Sequence, residues 1–280
     1  MLFALFSALS NIVATTINKF LLSRDKMNVL SFSLWLFIFL ALLTALTLPW
    51  IGYVNWEALI SFPYLFYFLV MISLAAIWNY FYYTCLQRES LSDFQLIAVI
   101  QPILTIFLSM LVFSDERGEK IIIATLIAGT VLVASHINRW RIDAPQLTIP
   151  LLAAVFLSAV ENLFIKEMLD IMSPASLYFI RTLFVAVIFL GAVPAAIKVP
   201  RPAHLIKTII IAFFAVLTMV LSFYGYQSIG VARTNIIFLL YPVGTTILSV
   251  YLLKERIKKR KLLAFIIIVL CIIYVFLNGG

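Results

Sequence analysis

The chain has 280 residues, 64% of them hydrophobic and only 11% charged, with a formal net charge of +8. So few charged side chains cannot clothe a water-soluble domain, so an ordinary globular protein is excluded and an all-α membrane protein is expected. Cys85, Cys271, His136 and His204 make neither a disulfide framework nor a metal-ligand spacing, so no metal and no cofactor is expected.

A hydrocarbon core of roughly 30 Å takes about 20 apolar residues as a helix. Ten such runs follow one another, at 1–22, 28–49, 60–84, 92–113, 119–137, 147–169, 175–197, 204–227, 231–253 and 259–278. The first has no basic leader and is interrupted by Asn11, Thr15, Asn18 and Lys19, which read as an inward-facing stripe on a permanent helix. The third ends in Trp78-Asn79-Tyr80-Phe81-Tyr82-Tyr83. In the fourth, Gln95, Ala98, Pro102, Thr105 and Ser109 stack on one face, with Gln101 beside them.

The sixth run contains Glu161, Asn162 and Lys166, and the seventh contains Arg181. A charge at the centre of a membrane helix costs about 2.5–3.5 kcal/mol on insertion scales, so Glu161 needs a partner. With a short turn between these helices, about 1.5 Å of rise per residue sets Glu161 about 13 Å deep and Arg181 about 10 Å, which makes Arg181 the natural choice. Lys166 is shallower and is expected to snorkel to the surface beside Glu167 and Asp170. The pair reads either as permanently self-neutralised, or as a site where Arg181 or Lys19 receives an anionic group while Glu161 exchanges a proton.

The eighth run ends in Phe223-Tyr224-Gly225-Tyr226-Gln227. This segment and its counterpart at 78–83 read as interfacial aromatic belts, or as a rim in which Asn79, Tyr83, Tyr226 and Gln227 touch a solute. In the ninth, Asn235, Phe238, Pro242, Thr245 and Ser249 repeat the stripe of the fourth, with Tyr241 at the position of Gln101. Pro102 and Pro242 each remove a backbone donor at matched depth, which suits a wet pathway. The alternative for both stripes is packing glue, with hydroxyls bonding back to their own helix.

Sliding 223–276 over 83–136 at an offset of 140 superposes Gln87 on Gln227, Pro102 on Pro242, Thr105 on Thr245 and Ser109 on Ser249. The earlier parts align near 147, which sets Lys19 against Lys166. Five spans per copy invert the second copy, so two opposed repeats, 1–140 and 141–280, are expected around a midplane site. Alternate connections are rich in basic residues, among them Arg24, Lys26, Arg88, Arg139, Arg141 and the run Lys254 to Lys261. By the positive-inside rule that side is cytoplasmic, with both termini outside, but one miscounted helix would reverse this for part of the chain, so the orientation of the termini stays open. The charge therefore speaks to orientation and lipid, and no nucleic-acid partner is expected.

The proline-then-acid pattern of the fourth and ninth helices, the two five-helix halves and the length resemble the drug/metabolite transporter superfamily, specifically its EamA-type ten-helix carriers. The stretches after those helices, Ser114-Asp-Glu-Arg117 and Lys254-Glu-Arg256, depart from the family's usual form by lacking its glycine. The resemblance implies a secondary transporter, an exporter of small polar or amphipathic metabolites such as amino acids, in the inner membrane of a prokaryote. Such a carrier works by alternating access; a monomer is sufficient and proton coupling is open. Rivals are efflux of lipophilic cations, which an uncompensated Glu161 would favour, flipping of lipid head groups, and a membrane enzyme built on Asp115, Glu116 and Glu119. No phosphate-binding loop is visible, which speaks against an ATP-driven pump.

Overall fold

The computed structural model describes residues 1–24, 27–88, 94, 97–136, 148–192, 200–241, 244–245 and 259–278. Its helices, in chain order, are α1 (Leu2–Arg24), α2 (Val29–Ala45), α3 (Leu48–Ile51), α4 (Trp56–Ile60), α5 (Tyr64–Arg88), α6 (Ile100–Val112), α7 (Glu119–His136), α8 (Thr148–Met168), α9 (Pro174–Ala192), α10 (Pro202–Ile229), α11 (Val231–Phe238) and α12 (Lys259–Asn278). Helices dominate because a chain this apolar must satisfy its backbone donors and acceptors internally wherever lipid replaces water. Among the described residues, α1, α5, α8, α9 and α10 are long and apolar enough to cross a membrane, and α2, α6 and most of α12 are shorter apolar helices.

Local chemistry sets several boundaries. The Asn28 side chain accepts from the N–H groups of Leu30 and Ser31 at 3.0 and 3.2 Å, starting α2. Pro174 and Pro202 open α9 and α10, where the missing N–H costs nothing. Gly230 divides α10 from α11 at φ 90°, in the left-handed region.

The second expected span comes out shorter, and the fourth and ninth each contain a turn. The second stops at Ala45, after which the chain makes the short α3 and α4. The fourth has a turn at Val99 before α6 begins at Ile100, and the ninth is helical through Phe238 before a turn at 239–240. Pro242, Gln95, Ser249 and the basic residues 254–258 lie outside the described residues.

In the packing, α1 lies along α10 and α5 along α8, while α2 packs on α9 and α10. α6 contacts both α8 and α11, and α7 pairs with α12. One apolar cluster is built chiefly on α2, α5, α8, α9 and α10, a second on α6, α7, α11 and α12 with the start of α1. At one end of the bundle the 52–55 connection is zipped to the turn between α8 and α9. Asn55 N–H donates to Ile171 O at 2.8 Å and Ser173 N–H to Tyr53 O at 2.9 Å, around an isolated antiparallel bridge between Val54 and Met172.

Candidate functional site

Eight helices, α2 among them through Phe37 and Leu40, converge on a cavity of about 200 Å³, below the roughly 300–1,000 Å³ typical of sites for drug-sized molecules. α1 contributes Asn11, Thr15 and Asn18, and α5 contributes Trp78, Asn79, Tyr82 and Tyr83. Gln101 and Pro102 come from α6, Ser158, Glu161 and Asn162 from α8, and Tyr178 and Arg181 from α9. Thr218, Ser222 and Tyr226 of α10, Asn235 and Phe238 of α11, and Tyr241 complete the wall. The stripe residues Asn11, Thr15, Asn18, Ala98, Pro102, Asn235 and Phe238 therefore face inward, and both apolar clusters border the cavity. Residues singled out from sequence that meet here include Asn11, Thr15, Asn18, Asn79, Tyr83, Ala98, Gln101, Pro102, Glu161, Asn162, Arg181, Tyr226, Asn235, Phe238 and Tyr241.

The charged pair lies in this wall. Glu161 is 1% exposed and Arg181 2%. Arg181 Nε donates to Glu161 Oε1 at 2.6 Å and Nη2 to Oε2 at 3.1 Å, so the guanidinium fork grips both oxygens. The Trp78 indole N–H donates to the same Oε2, and the Arg181 guanidinium carbon is 5.9 Å from the Trp78 ring centroid. The short connection between α8 and α9 brings the two charges level, as the depth argument requires. Trp78, within a stretch that reads as an aromatic belt, has a donor role that residue type alone does not reveal.

Other polar groups divide between bonding inward and bonding back. Asn79 Nδ2 donates to Ala75 O at 2.8 Å and Asn235 Nδ2 to Val231 O at 2.9 Å, each within its own helix. Asn162 and Gln101 both reach Thr105 Oγ1 at 3.4 Å, linking α8 to α6. Asn18, 6% exposed, keeps an Oδ1 with no hydrogen-bond partner among the described residues. On α5 the aromatic stretch splits by helix face. Tyr83 is buried against Phe32 and Tyr82, whereas Tyr80 is exposed, as an interfacial ring would be.

Lys19 and Gln227 are not part of the lining. Lys19 Nζ donates to Leu86 O at 2.8 Å, and Gln227 Nε2 to Leu169 O at 3.0 Å, just past the end of α8. Gln87 does the equivalent for α1, donating to Leu22 O at 3.3 Å and Met27 O at 2.7 Å. Both amides satisfy carbonyls left open at helix ends.

Lys166 departs from its expected surroundings. Its ammonium bonds Asp115 Oδ2 at 2.8 Å and Glu116 Oε1 at 2.9 Å and lies 4.2 Å from the Phe113 ring centroid. The connection between α6 and α7 folds against the end of α8 and brings these partners within reach of the ammonium. The hydrogen bond from Lys166 holds the Asp115 carboxyl below its ordinary value. Glu116, 4% exposed, also accepts the N–H groups of Val231 at 2.7 Å and Ala232 at 3.0 Å, the first of α11. A Cβ on Gly230 would sit 2.6 Å from Glu116 Oε2, so the close approach requires glycine. Among the described residues no cluster of His, Cys, Asp and Glu has the form of a metal site.

Residues 148–277 match the model of the EamA-like transporter family. A protein of Haemophilus influenzae named "Uncharacterized transporter" is 25% identical to the chain over 222 residues, covering 74% of this chain and 73% of that one. A crystal structure described only as "Crystal structure of protein" superposes with a TM-score of 0.73 over 97% of this chain and 98% of the other. At 13% identity, that likeness is one of fold.

Proposed function

We propose that the chain, an integral membrane protein, is a secondary exporter of small polar or amphipathic metabolites such as amino acids within the drug/metabolite transporter superfamily, a reading supported by the EamA-like match over 148–277 and by the relative named as a transporter. The observation that carries the reading is the Arg181–Glu161–Trp78 cluster in the wall of a polar cavity. Arg181 is the receptor for a substrate carboxylate, which takes the place of Glu161 in the guanidinium fork. Glu161, released from that fork by the substrate, is the group through which solute movement is coupled to protons. Closed, the pair leaves the cavity wall without net charge, and this compensation removes the support that a bare carboxylate would lend to cation efflux.

Alternating access by two inverted five-helix repeats, 1–140 and 141–280, is part of the same proposal. The packing supports it. Exchanging first-half helices for their second-half counterparts turns the pairing of α1 with α10 into that of α8 with α5. The pairings α2–α9, α6–α11 and α7–α12 map onto themselves. Gln87 and Gln227, equivalent in the repeat, also serve equivalent helix ends. The setting is the inner membrane of a prokaryote, with the basic connections cytoplasmic and a monomer sufficient. The transporter reading leaves the acidic group at 115–119 a structural role in place of a catalytic one.

The test is counterflow of labelled amino acids in proteoliposomes of the purified protein. Saturable, trans-stimulated exchange is expected, with Arg181→Lys reducing it at least tenfold because a point charge replaces the fork. Absence of exchange across the amino-acid set would remove the substrate class. Glu161→Gln is expected to exchange solute without a pH gradient driving it; gradient-driven flux that survives in this variant would remove Glu161 from the coupling.

A further inference from the structure

We propose that Glu116 is the latch of one gate: it holds the two halves together at the Lys166 end of the cavity, and this contact must open for solute to leave by that end. The inference rests on the alternating-access reading and adds the part that moves. Three segments meet at one carboxylate. It belongs to the connection between α6 and α7; the N–H groups of Val231 and Ala232 belong to the start of α11, and Lys166 to the last turn of α8. The first segment lies in the first half of the chain and the other two in the second.

The latch is set directly over the cavity. On α8, Asn162 lines the wall and Lys166 follows one turn later; on α11, Asn235 lines the wall and Val231 is one turn earlier. Four residues rise about 6 Å, so the carboxylate closes the end that these two helices share. α11 also has no cap of its own. Gly230, which precedes it, carries no side chain, and the acceptor its first N–H groups need comes from the other half. A negative charge at a helix N-terminus is further favoured by the helix dipole. A contact of this form is suited to reversible use. When it parts, Lys166 retains Asp115, whose side chain is 71% exposed, and the freed N–H groups come to face an opening to water.

The experiment measures gate opening without a substrate, which separates its failure from that of the transport proposal. Ser158, in the cavity wall, is changed to Cys in a background with Cys85 and Cys271 replaced by Ser or Ala. Protein in oriented proteoliposomes is then labelled with a membrane-impermeant thiol reagent from each face in turn. Glu116→Gln is expected to raise the labelling rate from the Lys166 face about tenfold and to leave the other face unchanged or slower. Glu119→Gln, an exposed acid at the start of α7, serves as the control and should change neither rate. Should Glu116→Gln fail to fold, Gly230→Ala, which drives a methyl into the same carboxylate, is expected to give the same one-sided increase. Equal acceleration from both faces, or no change from either in a folded variant, would overturn the latch. The one-sided increase in a protein that shows no amino-acid counterflow would keep the latch and discard the substrate.

Discussion

Glu161 and Glu116 are both carboxylates almost out of contact with solvent, 1% and 4% exposed, yet they hold different things. The donors to Glu161 are side chains, from Arg181 and Trp78. Those to Glu116 include two backbone N–H groups, which cannot turn away to other acceptors without moving a helix. A carboxylate that grips side chains can exchange one partner for another within a fixed frame, and one that grips a helix end decides where the frame itself lies. The first arrangement fits a binding site and the second a moving contact.

The sharpest way to break this contrast is Glu161→Ala, which leaves the Arg181 charge buried without its counterpart. The expected loss is about 3–5 kcal/mol of unfolding free energy, measured on purified protein in detergent. Replacing both partners with Met should recover most of that stability while leaving no exchange, because the cost lies in the orphaned charge and the function in the cation. Glu116→Ala comes next, at about 2 kcal/mol, since it leaves two backbone donors short of an acceptor while Lys166 keeps Asp115. A loss as large as that of Glu161→Ala would erase the distinction between the two sites. Trp78→Phe keeps the ring and removes one donor to a charged acceptor that Arg181 still satisfies, so about 1.5 kcal/mol is expected in the same unfolding measurement.

The smallest effect belongs to the rim of the latch. The Asp115 carboxyl titrates below its ordinary value because Lys166 hydrogen-bonds it. A depressed folded value contributes stability that is fully present above the unfolded value of about 4 and is lost as pH falls through the lower folded value. Thermal midpoints of the parent protein and of Asp115→Asn should therefore differ slightly at neutral pH and converge below about pH 4. A gap that persists in acid would assign the contribution to something other than this ion pair. With Asp115 largely exposed, solvent screening keeps the term small.

Much of the cavity is legible in the sequence because lipid makes polar residues conspicuous. Asn11, Thr15 and Asn18 recur at helical spacing in an apolar run, and Glu161 and Arg181 are level once the turn between their helices is counted. Residues whose partners lie in a distant connection are less readable. Nothing in the spacing around Lys166 points to Asp115 and Glu116, about 50 residues earlier. Trp78 looks like its aromatic neighbours until the rotation of α5 aims its N–H at Glu161. Gln227 and Lys19 show the converse: an amide or ammonium near a membrane surface has the same appearance in sequence whether it meets a solute or a carbonyl at a helix end.

The interleaved packing also bears on how the protein is made. α1 lies along α10, and its Ser7 hydroxyl donates to Thr218 O, 211 positions away. During synthesis from the amino terminus, α10, which packs along α1 and helps enclose the cavity that Asn11, Thr15 and Asn18 line, is therefore still untranslated when α1 is inserted. Until the ribosome has passed Ile229, that polar face has to shelter in the insertion machinery or against a chaperone, so mutations in α10 should make themselves felt as degradation of a nascent chain whose own α1 is unaltered.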